Sequence, residues 1–151
     1  MKDMIKRIRE EREGFTLAEL LIVVAIIAVL VAIAIPIFNS QLEKSRDAVT
    51  VSNIRTAYAE AQTAYLTEQS DTTNGVTYTK ATSTADATVT VSGVKAMGTS
   101  GDLSGLDADL PFPAASKTQL ATDLGAGNGA DFTLVFTYDK STSALKSVTK
   151  Q

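Results

Sequence analysis

The sequence predicts an α+β fold in which a long N-terminal helix packs on a small antiparallel sheet to form a globular head. Three observations support this prediction. An unbroken apolar run covers residues 20–35, an amphipathic pattern continues to about residue 67, and alternating apolar and hydroxyl residues follow residue 75. Helical and strand periodicities therefore occupy separate parts of the chain, which is typical of the α+β class.

The first part of the predicted helix has the dimensions of a membrane span. From Phe15 to Ile35 it would extend about 31 Å, close to the roughly 30 Å thickness of the hydrocarbon core of a bilayer. After Glu19 the run has no polar stripe, whereas a core helix of a small soluble domain usually shows one. Five of the first twelve residues are basic, so the positive-inside tendency places the N-terminus in the cytoplasm and the rest outside.

The second part of the helix is predicted to be amphipathic. Its apolar positions recur at spacings of three, four and seven: Phe38, Leu42, Val49, Ile54, Tyr58, Ala61 and Tyr65. Charged residues are expected mainly on the other faces: Glu43, Lys44, Arg46, Asp47, Arg55 and Glu60. Neither Gly nor Pro interrupts residues 37–74, so the helix is expected to run from Phe15 to about Thr67, with its aromatic side chains in the core of the head.

The remainder of the chain is predicted to form strands. Asn74-Gly75 is a turn signal, and the strands are expected at residues 76–80, 87–94, 132–138 and 144–150, the last two as a hairpin. Gly93 is a candidate β-bulge. A short helix is expected from Ala114 to Leu124, ended by the glycine-rich loop at residues 125–129.

Composition argues against an enzyme or a nucleic-acid-binding protein. The chain has no cysteine and no histidine, which removes disulfides, thiolate metal sites, cysteine nucleophiles and the commonest general base. Its formal net charge is −3, without the clustered basic surface that phosphate contacts require. Asp102, Asp107 and Asp109 form a carboxylate cluster, but their spacing is not that of an EF-hand loop. We therefore expect no catalytic residue, no cofactor and no metal site.

The sequence GFTLAE at residues 14–19, followed by the apolar run and Pro36, closely resembles the N-terminus of type IV prepilins and of the related pseudopilins. The match covers Gly14 to Pro36, and the head has no signature of its own. The resemblance implies that a prepilin peptidase cuts after Gly14 and that the new amine of Phe15 is N-methylated. It divides the chain into a cytoplasmic leader at 1–14, a transmembrane and filament-core helix at 15–38 and an extracellular head at 39–151.

The chemistry of these residues agrees with such processing. An uncut leader would bring nine charged side chains, five basic and four acidic among residues 1–13, towards the centre of a helical bundle. Burial of unpaired charges costs several kcal/mol each, so we expect the leader to be removed before apolar helices can pack. Gly14 has no side chain and suits the close approach of a protease to an extended backbone.

Glu19 and Pro36 are the two residues that a permanent membrane anchor would not need. In a filament the Glu19 carboxylate must be neutralised or paired, and the available cation is the α-amine of Phe15, on the same chain or on a neighbour whose register the pair would set. Pro36 removes the backbone hydrogen bond to the carbonyl of Ala32. Residues 28–36 could therefore lose helical bonds in a filament, or the helix could simply kink there.

Three functions follow from this interpretation. The first is a structural subunit, the major pilin, of a type IV pilus that serves adhesion, surface motility or DNA uptake. The second is a pseudopilin of a type II secretion or competence system, and the third is an anchored ectodomain that never polymerises. The resemblance implies as partners further copies of the chain, the prepilin peptidase, the assembly platform with its ATPase, minor pilins and, before assembly, membrane lipid.

Many type IV pilins close their C-terminal loop with a disulfide, which this chain cannot form because it has no cysteine. We therefore expect strand pairing and packing alone to hold its C-terminal hairpin.

Overall fold

A computed structural model describes residues 15–99, 103, 110–124 and 129–151. Contacts group the chain into two compact units, Met1–Ser40 and Gln41–Gln151. The elements are helix α1 (Leu17–Thr67), a 3-10 helix (Thr72–Asn74), strands β1 (Val76–Thr79) and β2 (Ala87–Ala96), helix α2 (Ala114–Leu124), and strands β3 (Ala130–Tyr138) and β4 (Leu145–Lys150). The predicted α+β class is confirmed.

In the second unit, α1 presents one narrow face to the core. Its buried residues follow each other at spacings of three and four: Asp47, Thr50, Val51, Ile54, Ala57, Ala61 and Ala64. Three of them are alanines, whose small side chains allow the sheet to approach the helix backbone closely. Tyr58 and Tyr65 flank this face and pack against the core, as predicted for the aromatic positions within this unit.

The prediction of the apolar face of α1 was partly wrong. Phe38, Leu42 and Val49 are exposed. Ile54 lies at the centre of the buried face in the second unit, and Leu42 and Val49 of the same unit lie about 120° or more around the helix from it. Asp47, which was expected among the charged residues on the outer faces, is instead buried with 4% of its surface exposed. Apolar spacing alone therefore placed the face incorrectly at its N-terminal end.

The four strands form one antiparallel sheet in the order β1-β2-β3-β4. The bounds agree with the predicted strands to within two residues, and the β3-β4 pair is the expected hairpin. The register of β2 against β3 shifts between Val91 and Val94, and Gly93 between them has φ 78°, which confirms the predicted bulge. The bulge lets β2 continue to Ala96 with its apolar side chains still facing the core.

Aromatic side chains dominate the middle of the core. The ring of Tyr65 from α1 stacks on Tyr138 from β3, with centroids 3.9 Å apart and planes 11° from parallel. Tyr58 contacts Phe112 edge to face at 5.4 Å, and Phe136 lies 6.1 Å from both. These contacts hold α1 to the sheet without a disulfide.

The turn before β1 is more ordered than the sequence suggested. Asp71 caps the 3-10 helix by accepting a hydrogen bond from the amide of Asn74, and Gly75 follows with φ 73°. A Cβ at Gly75 would lie 2.5 Å from Oγ of Ser92, so both the conformation and the neighbouring strand require glycine here. The second predicted helix, α2, has the predicted bounds.

Candidate assembly segment at the start of helix α1

Thr16 and Glu19 form a reciprocal cap at the start of α1. Oε2 of Glu19 accepts hydrogen bonds from the backbone amide and the hydroxyl of Thr16, both at 2.8 Å. The hydroxyl of Thr16 in turn accepts from the amide of Glu19 at 3.2 Å. This is a capping box, which satisfies amides that have no partner in the first turn of a helix. The sequence signal for it is the Thr-x-x-Glu spacing, which our sequence interpretation did not use.

The capping box directs the Glu19 carboxylate towards the N-terminal end of the helix. Its acceptor oxygen lies on the amide of Thr16, the residue directly after Phe15. Phe15 itself is 87% exposed. Both bonds use Oε2, so Oε1 still has acceptor capacity. A cationic amine on Phe15 would therefore lie one residue from a carboxylate that is already turned towards it.

The helix that follows is apolar on every face. From Leu20 to Ile35 no side chain is buried, and most of the larger ones expose about half of their surface or more. The helix is long and apolar enough to cross a membrane, and none of its most apolar window is buried within the protein. An apolar surface of this extent requires lipid or other apolar chains to cover it.

Pro36 lies inside α1, and the helix continues through it to Thr67. Proline lacks the amide that would bond to the carbonyl of Ala32. The expected loss of helical bonds at residues 28–36 concerns the packed filament, so it stays a prediction.

A row of polar side chains on α1 fixes the segment that leaves β2. Glu43 bonds to the amide and the hydroxyl of Thr99. The hydroxyl of Thr50 accepts from the amides of Met97 at 2.8 Å and Gly98 at 3.2 Å. Farther along the helix, Nδ2 of Asn53 donates to the carbonyl of Lys95 over 2.9 Å.

These polar contacts hold the last residues of β2 and the segment after it, where strand pairing ends. Backbone groups of four residues, Lys95, Met97, Gly98 and Thr99, bond to helix side chains, and Asp47 packs directly over Gly98. Sequence reasoning missed the row, because polar residues at a helical spacing are normally interpreted as a solvated face.

Three predicted features fall outside the residues that the structure describes. They are the leader at 1–14 with the predicted cleavage residue Gly14, the cluster of Asp102, Asp107 and Asp109, and the glycine-rich loop except for Gly129. Among the described ranges, no group of three carboxylates is placed to hold a metal ion.

Comparison with known proteins shows which proteins this chain is similar to. Residues 11–35 match the model of the prokaryotic N-terminal methylation motif. The chain is also 33% identical, over 134 residues, to the type IV major pilin protein PilA of Myxococcus xanthus (strain DK1622). That alignment covers 84% of this chain and 58% of the relative, so the chain spans less than two thirds of that pilin's length. No solved structure matches the chain significantly.

Both findings confirm the resemblance to type IV pilins. The long N-terminal helix and the four-stranded antiparallel sheet agree with the fold that the resemblance implied. Neither match is to a family of enzymes.

Proposed function

We propose that this protein is the major structural subunit of a type IV pilus. The observation that carries the proposal is the apolar part of α1, which is exposed on all sides and begins with a capped carboxylate at Glu19. Such a helix needs two apolar environments in succession, first lipid and then the helices of other copies. The methylation motif at residues 11–35 and the similarity to a major pilin support this assignment.

In this proposal the precursor spans the membrane once, with residues 1–14 in the cytoplasm and residues 39–151 outside. A prepilin peptidase cuts after Gly14, and the amine of Phe15 is methylated. The cut removes nine charged side chains of residues 1–13 from the end of a helix that must pack among apolar neighbours. An assembly platform with its ATPase then moves the subunit into the filament, and minor pilins accompany it.

Glu19 and Pro36 act in the assembled state. The α-amine of Phe15 pairs with Glu19 and offsets a charge that water no longer solvates. Pairing with the amine of a neighbouring copy fixes the axial register of helices that otherwise slide freely. Pro36 permits residues 28–36 to extend once lipid no longer enforces helical hydrogen bonds.

Mass spectrometry of filaments sheared from the cell surface tests the proposal. We expect this chain to be the most abundant protein in that fraction, with a terminal peptide that begins at N-methylated Phe15. Full-length chain in the membrane, with no filaments, would contradict the proposal and support an anchored ectodomain. Filaments that form only when the chain is overproduced, together with loss of secretion on gene deletion, would instead indicate a pseudopilin.

A further inference from the structure

Nearly all the described charged side chains of the second unit are paired within the same chain. Four salt bridges involve described residues: Lys80–Glu68 at 2.8 Å, Lys146–Asp86 at 2.7 Å, Arg46–Glu43 at 3.7 Å and Lys95–Asp131 at 3.8 Å. Lys140 and Lys150 donate to backbone carbonyls. Other side chains bond to Asp71, Asp123 and Asp139. Asp47, Arg55 and Lys117 also have partners.

Lys44 and Glu60 are the two exceptions within the described part of this unit. Neither side chain takes part in a salt bridge or a side-chain hydrogen bond there, and they carry opposite charges. Among the described residues of this unit, one cation and one anion are therefore left for a contact outside the chain.

Glu60 lies in a groove between α1 and the start of the sheet. Two neighbouring cavities, with volumes of about 570 and 340 Å³, share Thr56, Glu60 and Asn74 in their walls. We call this the Glu60 groove. The larger cavity holds a second carboxylate, Asp71, and no basic residue, whereas Lys95 lines the smaller cavity and pairs with Asp131 at 3.8 Å. Glu60 is half-buried, so it loses part of its hydration, and it forms no salt bridge with a described residue because the nearby Lys95 pairs with Asp131.

Lys44, in contrast, is exposed on α1. Sixteen residues of helix separate it from Glu60, which corresponds to about 24 Å along the axis and about 160° around it. The two groups therefore cannot meet within one chain, because they point to nearly opposite sides of the same rod. They can meet between two parallel copies that are displaced along the helix axis.

This arrangement has a consequence for symmetry. A contact between different surfaces of identical subunits is heterologous, and it generates a ring or an open helical filament rather than a closed dimer. We infer that Lys44 of one subunit enters the Glu60 groove of another and pairs with Glu60, so that the heads fix the axial offset between neighbours. The inference rests on the proposed function, since it requires that the chain polymerise.

Charge reversal tests the pair. The variants Lys44→Glu and Glu60→Lys should each reduce the filament fraction sheared from cells by roughly tenfold, because like charges then face each other in a partly desolvated contact. The double variant Lys44→Glu/Glu60→Lys should recover most of the wild-type yield. The matched control is the exposed Glu68→Lys, whose carboxylate already pairs with Lys80 in the same chain and should affect yield little.

Cysteine cross-linking gives an independent readout, because the native chain contains no cysteine. Lys44→Cys/Glu60→Cys filaments under mild oxidation should yield a ladder of disulfide-linked multimers. A bond within one chain is impossible, since a disulfide requires Cα atoms within about 7 Å. The control Ser45→Cys/Glu60→Cys moves one thiol by about 100° around the helix and should give no ladder.

The outcomes separate this inference from the proposed function. Absence of wild-type filaments would refute the proposed function. Wild-type filaments together with full yield from both single reversals and no cross-linked ladder would overturn the Lys44–Glu60 pair alone and assign the Glu60 groove to another occupant.

Discussion

The hydroxyl of Ser116 accepts a hydrogen bond from the backbone amide of Val148 over 3.0 Å, and both residues are buried. Val148 lies on β4, an edge strand, so helix α2 occupies an amide that another strand could otherwise bind. At the opposite edge, the hydroxyl of Ser70 accepts from the amide of Tyr78 on β1 over 2.9 Å. Two serines from outside the sheet therefore cover part of both edges, which disfavours association of heads by strand addition.

Replacement of Ser116 by alanine should destabilise the head. The amide of Val148 would lose its partner in a buried position, which costs about 1–3 kcal/mol. For a domain of about 100 residues, each kcal/mol corresponds to a fall in Tm of about 4–8 °C. Thermal unfolding of the purified chain in detergent, followed by circular dichroism, measures the shift.

The exposed Thr118→Ala on the same helix is the control for Ser116→Ala. Its hydroxyl bonds only to the carbonyl of Ala114, one turn back, so the expected change in Tm is small. Equal Tm values for the two variants would show that the Ser116 contact contributes nothing to stability.

Substitution of Gly98 by alanine should overpack the contact with Asp47. A Cβ at this position would lie 1.8 Å from Oδ1 and 2.8 Å from Cγ of Asp47. Because Asp47 is buried, its side chain cannot turn into solvent to make room, and we expect a loss of about 1–3 kcal/mol in the free energy of unfolding. In an Asp47→Ala background the same substitution should cost less, and strictly additive losses would contradict the clash.

Asp47 and Gly98 also show how far the sequence could predict this structure. Local sequence patterns were sufficient to predict α1, α2, the four strands and the bulge at Gly93. These patterns are the apolar run, the alternation of apolar and polar residues in the strands, and the glycines at turns and at the bulge. The burial of Asp47 depends on Gly98, fifty-one positions later, which provides a surface without a side chain.

The candidate site shows the same division between local and long-range signals. The segment from Phe15 to Pro36 was visible as a motif, because its residues are contiguous in the chain. In contrast, the hydrogen bonds from the amides of Met97 and Gly98 to the hydroxyl of Thr50 depend on tertiary packing, and no local sequence pattern predicts them.

Tyr138 provides a prediction for alkaline pH. Its hydroxyl is buried without a hydrogen-bond partner among the described residues. Burial, followed by electrostatic repulsion from Tyr58 and Tyr65, raises the pKa of Tyr138 well above its ordinary value near 10. The folded state thus favours the neutral phenol. The free energy of unfolding therefore keeps its full value below pH 10, and it falls as the pH rises above 10 and the phenol of the unfolded chain ionises. Tyr138→Phe should lose less stability than the wild type in that range.

At neutral pH the same substitution should be stabilising by about 1 kcal/mol, because it removes a buried polar group that forms no bond. Tyr58→Phe is the control, since the Tyr58 hydroxyl accepts from Nε2 of Gln62 and its loss should reduce stability. Identical Tm changes in the two variants would argue against the assignment of Tyr138 as unpaired.

The proposed role of Gly14 as the cleavage residue can be tested by substitution with a larger residue. A change to leucine should block the prepilin peptidase and leave full-length precursor in the membrane, because the protease could no longer approach the backbone closely. Glu13→Ala, a neighbouring change in the leader, should leave cleavage intact. N-terminal sequencing decides the matter, and a mature terminus at Phe15 in Gly14→Leu would exclude the proposed cut.

Glu19 has one role in the structure and a second in the proposed filament, and separate variants can distinguish them. As a partner of Thr16 it caps α1, and loss of this cap costs about 0.5–2 kcal/mol of helix stability. In the proposed filament it would pair with the Phe15 amine and stabilise the packed helices. Glu19→Val removes both, whereas Thr16→Ala removes only the two hydroxyl bonds of the cap and leaves in place the carboxylate and its bond to the backbone amide of residue 16.

We therefore expect Glu19→Val to be processed normally but to yield few filaments, and Thr16→Ala to be processed and to assemble at close to the wild-type level. The amounts of sheared filament, normalised to mature subunit in the membrane, compare the two variants directly. If Thr16→Ala showed the same assembly defect as Glu19→Val, the cap alone would explain the need for Glu19. The difference between the two yields is thus the share of assembly that depends on the carboxylate as a partner of the Phe15 amine.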